Sequence, residues 1–355
     1  MKKHQKKILK GLALTGGILI LLLIAFIGFA AINDYRPALI TPLESINKSE
    51  SIMVEKGREY SISTFNIGYG GLGKDQDFFM DGGSRSGADT QEEVIENIQA
   101  IDQFILNLNP DFELYQEVDT KGKRSYDVNQ LDVLMKNKNN GYFAYNYKVK
   151  FVPIPITHPM GHAESGILTV SDFQALKSER VSFDGKEPWI KQLFDLKRAF
   201  TITRYDVDDK ELVIINAHFS AFDKGGTVRA QQLEQMRRVL IKERNKGNYV
   251  ILGGDFNHEL PGTDSKNFTW TDDYPEWIMK LPDDFTPKGF NWANTKEAPT
   301  VRAVDKAYKK DETFVAVIDG FLVSDNIDIM AIKTYDNLQF ENSDHHPVVL
   351  NFRLN

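Results

Sequence analysis

Residues 249–257 read YVILGGDFN, an apolar run that ends in two glycines, an aspartate and an asparagine. The run from Tyr249 to Leu252 has the length and apolar content of a buried β-strand. Asp255 and Asn257 follow at its carboxyl end, where a core strand would continue with apolar side chains. Because a buried carboxylate without a partner is costly, Asp255 and Asn257 predict that polar groups gather around the end of this strand.

The same pattern recurs along the chain, with polar side chains beside apolar strands. These residues are Asn66 after SISTF, Glu117 after ELYQ, His218 after VIINA, Asp319 after VAVI, and Asp344 with His345 before HPVVLNF. Strands that end at one rim bring such side chains into one cleft, and clustered acids require a cation or hydrogen bonds. Oxygen ligands of this kind suit Mg²⁺, Mn²⁺ or Ca²⁺. His158 and His162, four residues apart, are a weaker signal for a zinc site.

Short strand-like runs alternate with polar loops from about residue 58 onward, and two segments have helical apolar spacing. The predicted strands are 60–69, 112–118, 166–171, 199–207, 211–219, 249–256, 314–324 and 347–354. The predicted helices are 94–111, which stops at a breaker pair, and 227–247, which ends in glycine. Many strands with few helices predict an α/β protein with a two-layer sheet core and outer helices. We treat residues 58–355 as one domain.

Six short motifs at these strand ends resemble the endonuclease/exonuclease/phosphatase superfamily, which includes deoxyribonuclease-like, sphingomyelinase-like and inositol-phosphatase-like enzymes. The motifs occur in the order of that family and cover residues 60–352. They are Thr64-Phe65-Asn66, Gln116-Glu117-Val118, Asn216-Ala217-His218-Phe219, Gly253-Gly254-Asp255-Phe256-Asn257, Ile318-Asp319-Gly320-Phe321-Leu322 and Ser343-Asp344-His345-His346-Pro347-Val348. The resemblance implies a four-layer α/β sandwich, with two mixed sheets packed face to face between helices.

The resemblance also implies a metal site, with Glu117 as the principal ligand, Asn66 close by, and Asp344 facing the metal directly or through water. Mg²⁺ is the expected cofactor, with Mn²⁺ or Ca²⁺ as alternatives. A bound cation polarises a phosphoryl oxygen and offsets the charge that builds up on it. The sequence does not decide between one metal ion and two.

The remaining motif residues receive catalytic roles from the resemblance. His345 is the candidate general base or electrostatic partner of the attacking water, and Asp319 is expected to orient its imidazole. Asp255 and Asn257 are expected to position the water and a phosphate oxygen, and His218 to donate to the phosphate in the transition state. Water attacks in line, without a covalent intermediate. Which residue takes the proton stays open.

Residues 11–32, GLALTGGILILLLIAFIGFAAI, are uncharged and long enough to cross a bilayer as a helix. Residues 1–10 carry five lysines, which places this end in the cytoplasm by the positive-inside rule. We therefore expect a signal anchor at 11–32, a spacer at 33–57 and a catalytic domain outside the cell membrane. A signal peptide cut near Ala30 is the alternative, although its apolar core would be unusually long.

The chain contains no cysteine, which excludes disulfides, thiolate metal sites and cysteine nucleophiles. Five of its 43 basic residues precede residue 11, whereas all 50 acidic residues follow residue 32. An acidic domain repels a polyanion at long range, which argues against tight non-specific binding of duplex DNA. We expect a monomer whose partners are the membrane and a phosphoester.

The substrate is predicted less sharply than the reaction. The long glycine-rich loop 68–89 is expected to border the site. Segment 219–236 resembles that of sphingomyelinase-like and phosphatase-like members. We therefore expect a lipid headgroup or a small phosphoester, with an extracellular metal-dependent nuclease as the alternative. A catalytically inactive binding module is disfavoured because every catalytic position is filled.

For some further side chains we prefer a structural or solvent-exposed role over a functional one. Arg85, Arg124, Arg229 and Arg302 are plausible phosphate contacts but by default are solvated arginines. For His258 and His346 we expect packing roles, and for the Pro-rich loop that carries His158 and His162 a structural role or one at the rim of the substrate site.

Overall fold

The protein is described here by a computed structural model that covers residues 2–48, 52–221, 223 and 225–355. The side chains of Lys2 and Lys3 are not described. Residues 49–51 of the predicted spacer, and Phe222 and Lys224 of segment 219–236, lie outside the described residues.

The N-terminal helix α1 (Lys2–Ile32) is followed by two sheets and four further helices. Its part His4–Ile32 has a mean hydropathy of 2.7 and is long and apolar enough to cross a membrane. Length and composition alone support this, and a signal sequence would pass the same test. The other helices are α2 (Gln91–Leu108), α3 (Gln130–Leu134), α4 (Trp189–Gln192) and α5 (Thr227–Asn245).

The strands form two mixed sheets and one short hairpin. In order across the seven-stranded sheet they are β1 (Ile40–Pro42), β6 (Lys177–Ser182), β7 (Ala199–Val207), β8 (Lys210–His218), β9 (Tyr249–Asp255), β13 (Asp319–Ser324) and β10 (Phe290–Ala293). The six-stranded sheet consists of β14 (Ile327–Thr334), β15 (Val348–Leu354), β2 (Glu59–Asn66), β3 (Phe112–Gly122), β5 (Gly161–Ser171) and β4 (Tyr142–Val152). The hairpin pairs β11 (Val301–Arg302) with β12 (Val315–Ala316).

The apolar faces of the two sheets pack against each other, and each sheet carries a helix on its other face. Between the sheets, aromatic side chains such as Phe112 and Phe321 are fully buried. Ile98, Ile101 and Ile105 of α2 pack on the six-stranded sheet. Leu233, Met236 and Leu240 of α5 pack on the seven-stranded sheet. The predicted four-layer α/β sandwich is therefore confirmed.

Helix α2 begins three residues before the predicted start because Thr90 caps it, its side chain accepting a hydrogen bond from the backbone of Glu93. It ends at Asn109, which adopts the left-handed conformation before Pro110. The predicted single strand 314–324 is wrong. The chain breaks the run between β12 and β13, where Val317 and Ile318 instead accept hydrogen bonds from Leu260 and Phe256.

Strands β1, β4, β6, β10, β11 and β14 were not predicted. Strand β1 is formed by part of the predicted spacer, since Ile40–Pro42 pairs in antiparallel fashion with β6. The predicted strand 60–69 ends at Asn66, beyond which the chain turns through a short 3₁₀ segment, Gly68–Gly70. That turn matters for the site because it brings the loop after β2 back over the rim.

Gly254 → Ala is expected to destabilise the fold strongly. Gly254 has φ +140°, and an added Cβ would overlap the carbonyl oxygen of Ala217 on the parallel strand β8. Backbone cannot yield as a flexible side chain can, so we expect a loss of about 3 kcal/mol or more. Urea denaturation of the detergent-solubilised chain measures it. Gly57 → Ala is the control, because Gly57 also has positive φ but faces open space.

Candidate active site

Strand pairing brings three of the predicted side chains together at one rim of the seven-stranded sheet. His218 ends β8 and lies beside Asp255, which ends the parallel strand β9. Asp319 begins the antiparallel strand β13 and also lies opposite Asp255. The carboxyl ends of parallel strands meet at one edge, and an antiparallel neighbour contributes its first residue there. All three side chains are buried.

Glu117 reaches the same cleft from the six-stranded sheet through an irregularity in β3. The pairing of β3 with β5 shifts register between Tyr115 and Val118, and Glu117 has φ +58°. A bulge of this kind re-aims a side chain, and the left-handed conformation of a non-glycine residue stores strain. The Glu117 side chain is 25% exposed, and its Oε2 lies 3.7 Å from Nη1 of Arg124.

His345 and Asp319 form a buried pair, with Nδ1 of the imidazole 2.9 Å from Oδ2 of the carboxylate. The hydroxyl of Thr300 accepts hydrogen bonds from the backbone N–H of Ile318 and of Asp319, which fixes the start of β13. Burial lowers the pKa of His345, but the charges of Asp319 and Asp344 outweigh it and raise this pKa to about 10. The imidazole is therefore held as a cation among carboxylates.

Asp255 lies at the centre of the group. Its Oδ2 accepts a hydrogen bond from Asn66 Nδ2 at 3.0 Å and lies 3.3 Å from His218 Nε2 and 3.9 Å from His345 Nε2. Burial, and then the charge of Asp319, raise the pKa of the Asp255 carboxyl. The Asp255 carboxylate is therefore a stronger base than an ordinary aspartate and is suited to accept a proton.

Asn66 and Asp344 join this group at the start of the glycine-rich loop. The side-chain nitrogen Nδ2 of Asn66 also lies 3.5 Å from Glu117 Oε1, and the side-chain oxygen Oδ1 accepts a hydrogen bond from the backbone N–H of Gly68 at 3.1 Å. Asp344 Oδ2 lies 4.0 Å from His345 Nε2. Burial raises the pKa of the Asp344 carboxyl, and Glu117 adds to the effect. The three residues predicted as metal ligands thus face one cleft.

His218 and Asn257 occupy the far side of Asp255. Burial, and then the charge of Arg198, lower the pKa of His218 well below its usual value, so this imidazole is neutral. Its Nδ1 is buried without a hydrogen-bond partner among the residues that the structure describes. Asn257 donates from its backbone to Asp255 Oδ1 at 2.8 Å and from its side chain to the carbonyl of Phe219 at 2.8 Å. It therefore fixes the turn after β9 in addition to bordering the cleft.

The donor set fits a divalent cation on two grounds. Asp255 and Asp319 each offer a ligand oxygen, as His345 offers a nitrogen once its imidazole is neutral, and these atoms lie within 4.8 Å of one another. Within the described part of the chain Asp319 Oδ1 is buried without a hydrogen-bond partner, a deficit that a cation or an ordered water would satisfy. Glu117 and Asp344 add two further carboxylates to the cleft. Oxygen donors of this kind match the requirements of Mg²⁺ or Mn²⁺.

The cleft is a cavity of about 610 Å³ that extends well beyond the polar rim. Its lining there includes Phe79 and Met80 of the glycine-rich loop and Met160 before β5, here called the apolar wall, together with charged side chains such as Asp81 and Lys197. Residues 34–37 and 39, which follow helix α1, also line it. The predicted position of the loop 68–89 at the border of the cleft agrees with this lining.

Three of the four arginines singled out in the sequence hold loops in place. Arg302 donates to the backbone carbonyls of Leu72, Gly73 and Gln76, Arg229 to those of Asp223 and Trp277, and Arg85 pairs with Asp77 and Asp89. Arg302 and Arg124 both line the cleft, but Arg124 pairs there with a carboxylate, Asp119 at 2.8 Å, and stacks over Tyr69.

Arg198 is a cleft residue that the sequence did not reveal. It precedes β7, whose antiparallel pairing with β8 sets Arg198 beside the end of that strand, and its Nη1 lies 3.5 Å from the carbonyl oxygen of His218. Within the described residues, no carboxylate lies within ion-pair distance of its guanidinium. Only the register between β7 and β8 could have placed it at the rim.

We expect Arg198 → Ala to lower kcat/KM roughly tenfold to a hundredfold, because a charge-assisted hydrogen bond to a phosphate oxygen is worth about 1.5–3 kcal/mol. Steady-state kinetics on a soluble phosphodiester measures it. Arg198 → Lys should recover part of the loss, and Arg238 → Ala, 57% exposed on α5 and outside the cleft lining, should cause little. Equal losses for Arg238 → Ala and Arg198 → Ala would contradict this role.

The remaining histidines lie apart from this centre. His162 Nε2 pairs with Asp127 at 2.6 Å near the surface, and His158 is exposed in the β4–β5 loop. His258 Nδ1 lies 2.7 Å from the carbonyl of Phe256. His346 stacks on Phe340, accepts from its backbone N–H and contacts the carbonyl of Pro299. Packing explains the last two.

Acid is expected to weaken the fold through His346. Burial lowers its pKa to about 4, so between pH 6.5 and 4 the unfolded chain binds a proton that the folded chain does not. Folding stability should therefore fall as the pH drops through that window, by up to about 3 kcal/mol from this group. Urea denaturation at pH 7 and pH 4 should show wild type losing more than His346 → Asn. An equal loss in both would remove His346 as the cause.

Comparison with known proteins supports the resemblance to the endonuclease/exonuclease/phosphatase superfamily. A model of endonuclease/exonuclease/phosphatase family 2 matches residues 160–351, more than half of the chain. The matched part includes His218, Asp255, Asp319 and His345, whereas Asn66 and Glu117 precede it. No curated protein matches the chain in sequence.

Solved structures share the fold. An endonuclease/exonuclease/phosphatase from Beutenbergia cavernae superposes with a TM-score of 0.56 at 16% identity, covering 84% of this chain and 72% of its own. TDP2 from Caenorhabditis elegans gives 0.52 at 18% identity, covering 84% and 75%. The human Nocturnin catalytic domain, with a bound sulfate anion, gives 0.53 at 14% identity, covering 88% and 97%.

Proposed function

The chain belongs to endonuclease/exonuclease/phosphatase family 2, and from that premise we propose that it hydrolyses a phosphoester with the help of a divalent cation, on the outer side of the cell membrane. The observation that carries the proposal is the buried Asp319–His345 pair beside Asp255, in a cleft that Glu117 enters from the opposite sheet. So many acidic side chains in one cleft require a compensating positive charge, which a bound cation would supply. Hydrolysis of a phosphoester is a reaction in which that charge would be used.

The proposed chemistry assigns a separate task to each side chain. Glu117, Asn66 and Asp344 would hold the cation, which supplies charge neutralisation on a phosphate oxygen when bound. Asp255, with its raised pKa, accepts the proton of the attacking water. The His345 imidazolium, held by Asp319, stabilises the developing negative charge.

His218 and Arg198 are proposed to bind the phosphoryl group from the other side. The imidazole of His218 is neutral, and its Nε2, which lies 3.3 Å from Asp255 Oδ2, carries the N–H that would donate to a phosphate oxygen. Asn257 keeps the turn that presents Asp255. Attack by water in line then releases the alcohol without an intermediate bound to the protein.

The proposed substrate is a lipid headgroup or another small phosphoester. The apolar wall of the cleft and the acidic excess of the chain beyond residue 32 support it. Extracellular hydrolysis of DNA is the alternative, supported by Arg124 and Arg198 in the cleft. The lysines before residue 11 support an outward-facing domain.

Full-length protein in detergent micelles tests both substrates. We expect Mn²⁺- or Mg²⁺-dependent hydrolysis of bis(p-nitrophenyl) phosphate and of phospholipid in vesicles, both abolished by EDTA and restored by excess cation. Nicking of plasmid DNA at physiological salt, with no lipid hydrolysis, would favour the nuclease. Turnover that survives EDTA would overturn the metal-dependent proposal itself.

A further inference from the structure

We propose that the cleft rim beside helix α1 is inserted into the outer leaflet of the membrane, so that an amphiphilic phosphoester enters the cleft directly from the lipid. The inserted surface, here called the apolar rim, consists of Phe151 and the β4–β5 loop 153–159. The inference rests on the proposed membrane anchor and, for its substrate, on the proposed hydrolase function.

The depth of the apolar rim follows from its contacts with the helix. Phe26 of α1 stacks on Phe194 with ring centroids 5.6 Å apart and meets the edge of Phe151 at 6.3 Å. Phe26 lies six residues before the helix end at Ile32, or about 9 Å along the axis. If residues 11–32 fill the ~30 Å hydrocarbon core, Phe26 lies inside it. The two aromatic rings that it contacts then lie at that depth.

The surface next to Phe151 is apolar and exposed. Phe151 is 40% exposed, Ile154 is half exposed, and Ile156 in the β4–β5 loop is 90% exposed. Exposed apolar groups that lie together mark an interaction surface. Since this face adjoins the helix, a lipid bilayer is the partner already in contact with it.

Basic groups lie where the headgroups would be. Lys148 and Lys150 line a small pocket together with Ala30 and Asn33 at the end of α1. Lys148 pairs with Glu164 at 2.8 Å, while Lys150 is only loosely paired at 3.7 Å. Lysines near a span end interact with headgroups while their carbon chains remain in the apolar layer.

The connection from the helix to the domain is fixed against the cleft. Asp34 pairs with Lys197 at 2.9 Å, with both side chains largely buried, and Leu39 accepts a backbone hydrogen bond from Ser182. Residues 34–37 and 39 therefore form a wall of the same cavity that holds His345. The helix cannot tilt away from the domain without breaking this wall.

The cavity joins the apolar rim to the catalytic side chains. Ile154 lines it at the rim, Met80, Phe79 and Met160 line its apolar wall, and His345 lines it at the polar end. A phosphoester with an apolar tail fits this arrangement, since its phosphate would reach the polar end while its tail stays against the apolar wall. A fully hydrated diester makes no use of the apolar wall.

The insertion is tested by site-specific labelling, because the chain has no cysteine of its own. Full-length Ile156 → Cys carrying the environment-sensitive fluorophore NBD is placed in vesicles of phosphatidylcholine and phosphatidylglycerol. Met330 → Cys is the matched control, since Met330 is 43% exposed on β14, at the opposite edge of the six-stranded sheet from β4. Lipids with a nitroxide on the acyl chain should quench NBD at 156 by about half or more, because an inserted side chain lies ~5–10 Å into the interface.

Equal, weak quenching at 156 and 330 would overturn the insertion, whatever the enzyme hydrolyses, because this measurement needs no turnover. The substrate route is tested with Ile156 → Asp against Met330 → Asp. We expect Ile156 → Asp to hydrolyse phospholipid in vesicles about tenfold more slowly than wild type, because a charge in the bilayer is unfavourable. Its rate of hydrolysis of bis(p-nitrophenyl) phosphate should be unchanged. Unchanged lipid hydrolysis would contradict entry from the membrane even if NBD is quenched.

Discussion

Replacing His345 by glutamine is expected to lower kcat by about 10²–10⁴-fold, the usual contribution of a positioned acid–base or charged group at a reacting centre. The imidazole lies 2.9 Å from Asp319 and 3.9 Å from Asp255, so its charge stands beside the carboxylate proposed to activate water. Glutamine keeps a hydrogen-bond donor but removes the positive charge. KM should change much less than kcat, because the lost interaction develops in the transition state.

Asp319 → Asn provides the companion measurement. If Asp319 acts only by holding and charging His345, the double variant should be little worse than His345 → Gln alone, because residues that act as one unit are not additive. Steady-state kinetics of both single variants and the double variant on a soluble phosphodiester gives the comparison. A His345 → Gln enzyme with near wild-type kcat would remove the imidazole from the mechanism. Fully additive losses would separate Asp319 from it.

The layers of the fold follow from patterns that a single sequence contains. These patterns are local, such as the apolar run 249–252 and the helical spacing of Ile98, Ile101 and Ile105. They arise because the core buries those side chains. Strands such as β1 and β10 escaped prediction because they are short. Their strand conformation comes from a neighbour across the sheet, and one sequence does not identify that neighbour.

The residues of the site likewise divide into those that a single sequence reveals and those that it does not. Polar residues at the ends of apolar strands are conspicuous because burial there is expensive, and the structure places Asn66, Asp255 and His345 around one centre. Arg198 was missed because an arginine before a strand is ordinary until the register with β8 sets it at the rim. The loop-holding role of Arg302 depends on carbonyls about 230 residues away, which no local pattern contains.

Glu117 → Gln is expected to reduce activity by at least about 10²-fold and to shift the Mn²⁺ concentration needed for half-maximal rate upward by a similar factor. The side chain keeps its length and loses only its charge. Of the four carboxylates at the polar end of the cleft it is the most exposed, at 25% against 11% for Asp344, whereas Asp255 and Asp319 are buried and paired with histidines. A cation entering from solvent would therefore meet Glu117 first. Activity measured across a Mn²⁺ series, together with calorimetric titration of Mn²⁺, separates loss of binding from loss of turnover.

The backbone at this position supplies the control. Glu117 has φ +58°, which glycine adopts without strain, so Glu117 → Gly should leave the thermal stability unchanged or raise it while abolishing activity. A stable, inactive protein would show that the strained bulge exists to aim a carboxylate at the cation. If Glu117 → Gln binds Mn²⁺ as tightly as wild type, the cation is instead held by the buried carboxylates of Asp255 and Asp319. Asp319 → Asn should then lose Mn²⁺ binding in the same titration.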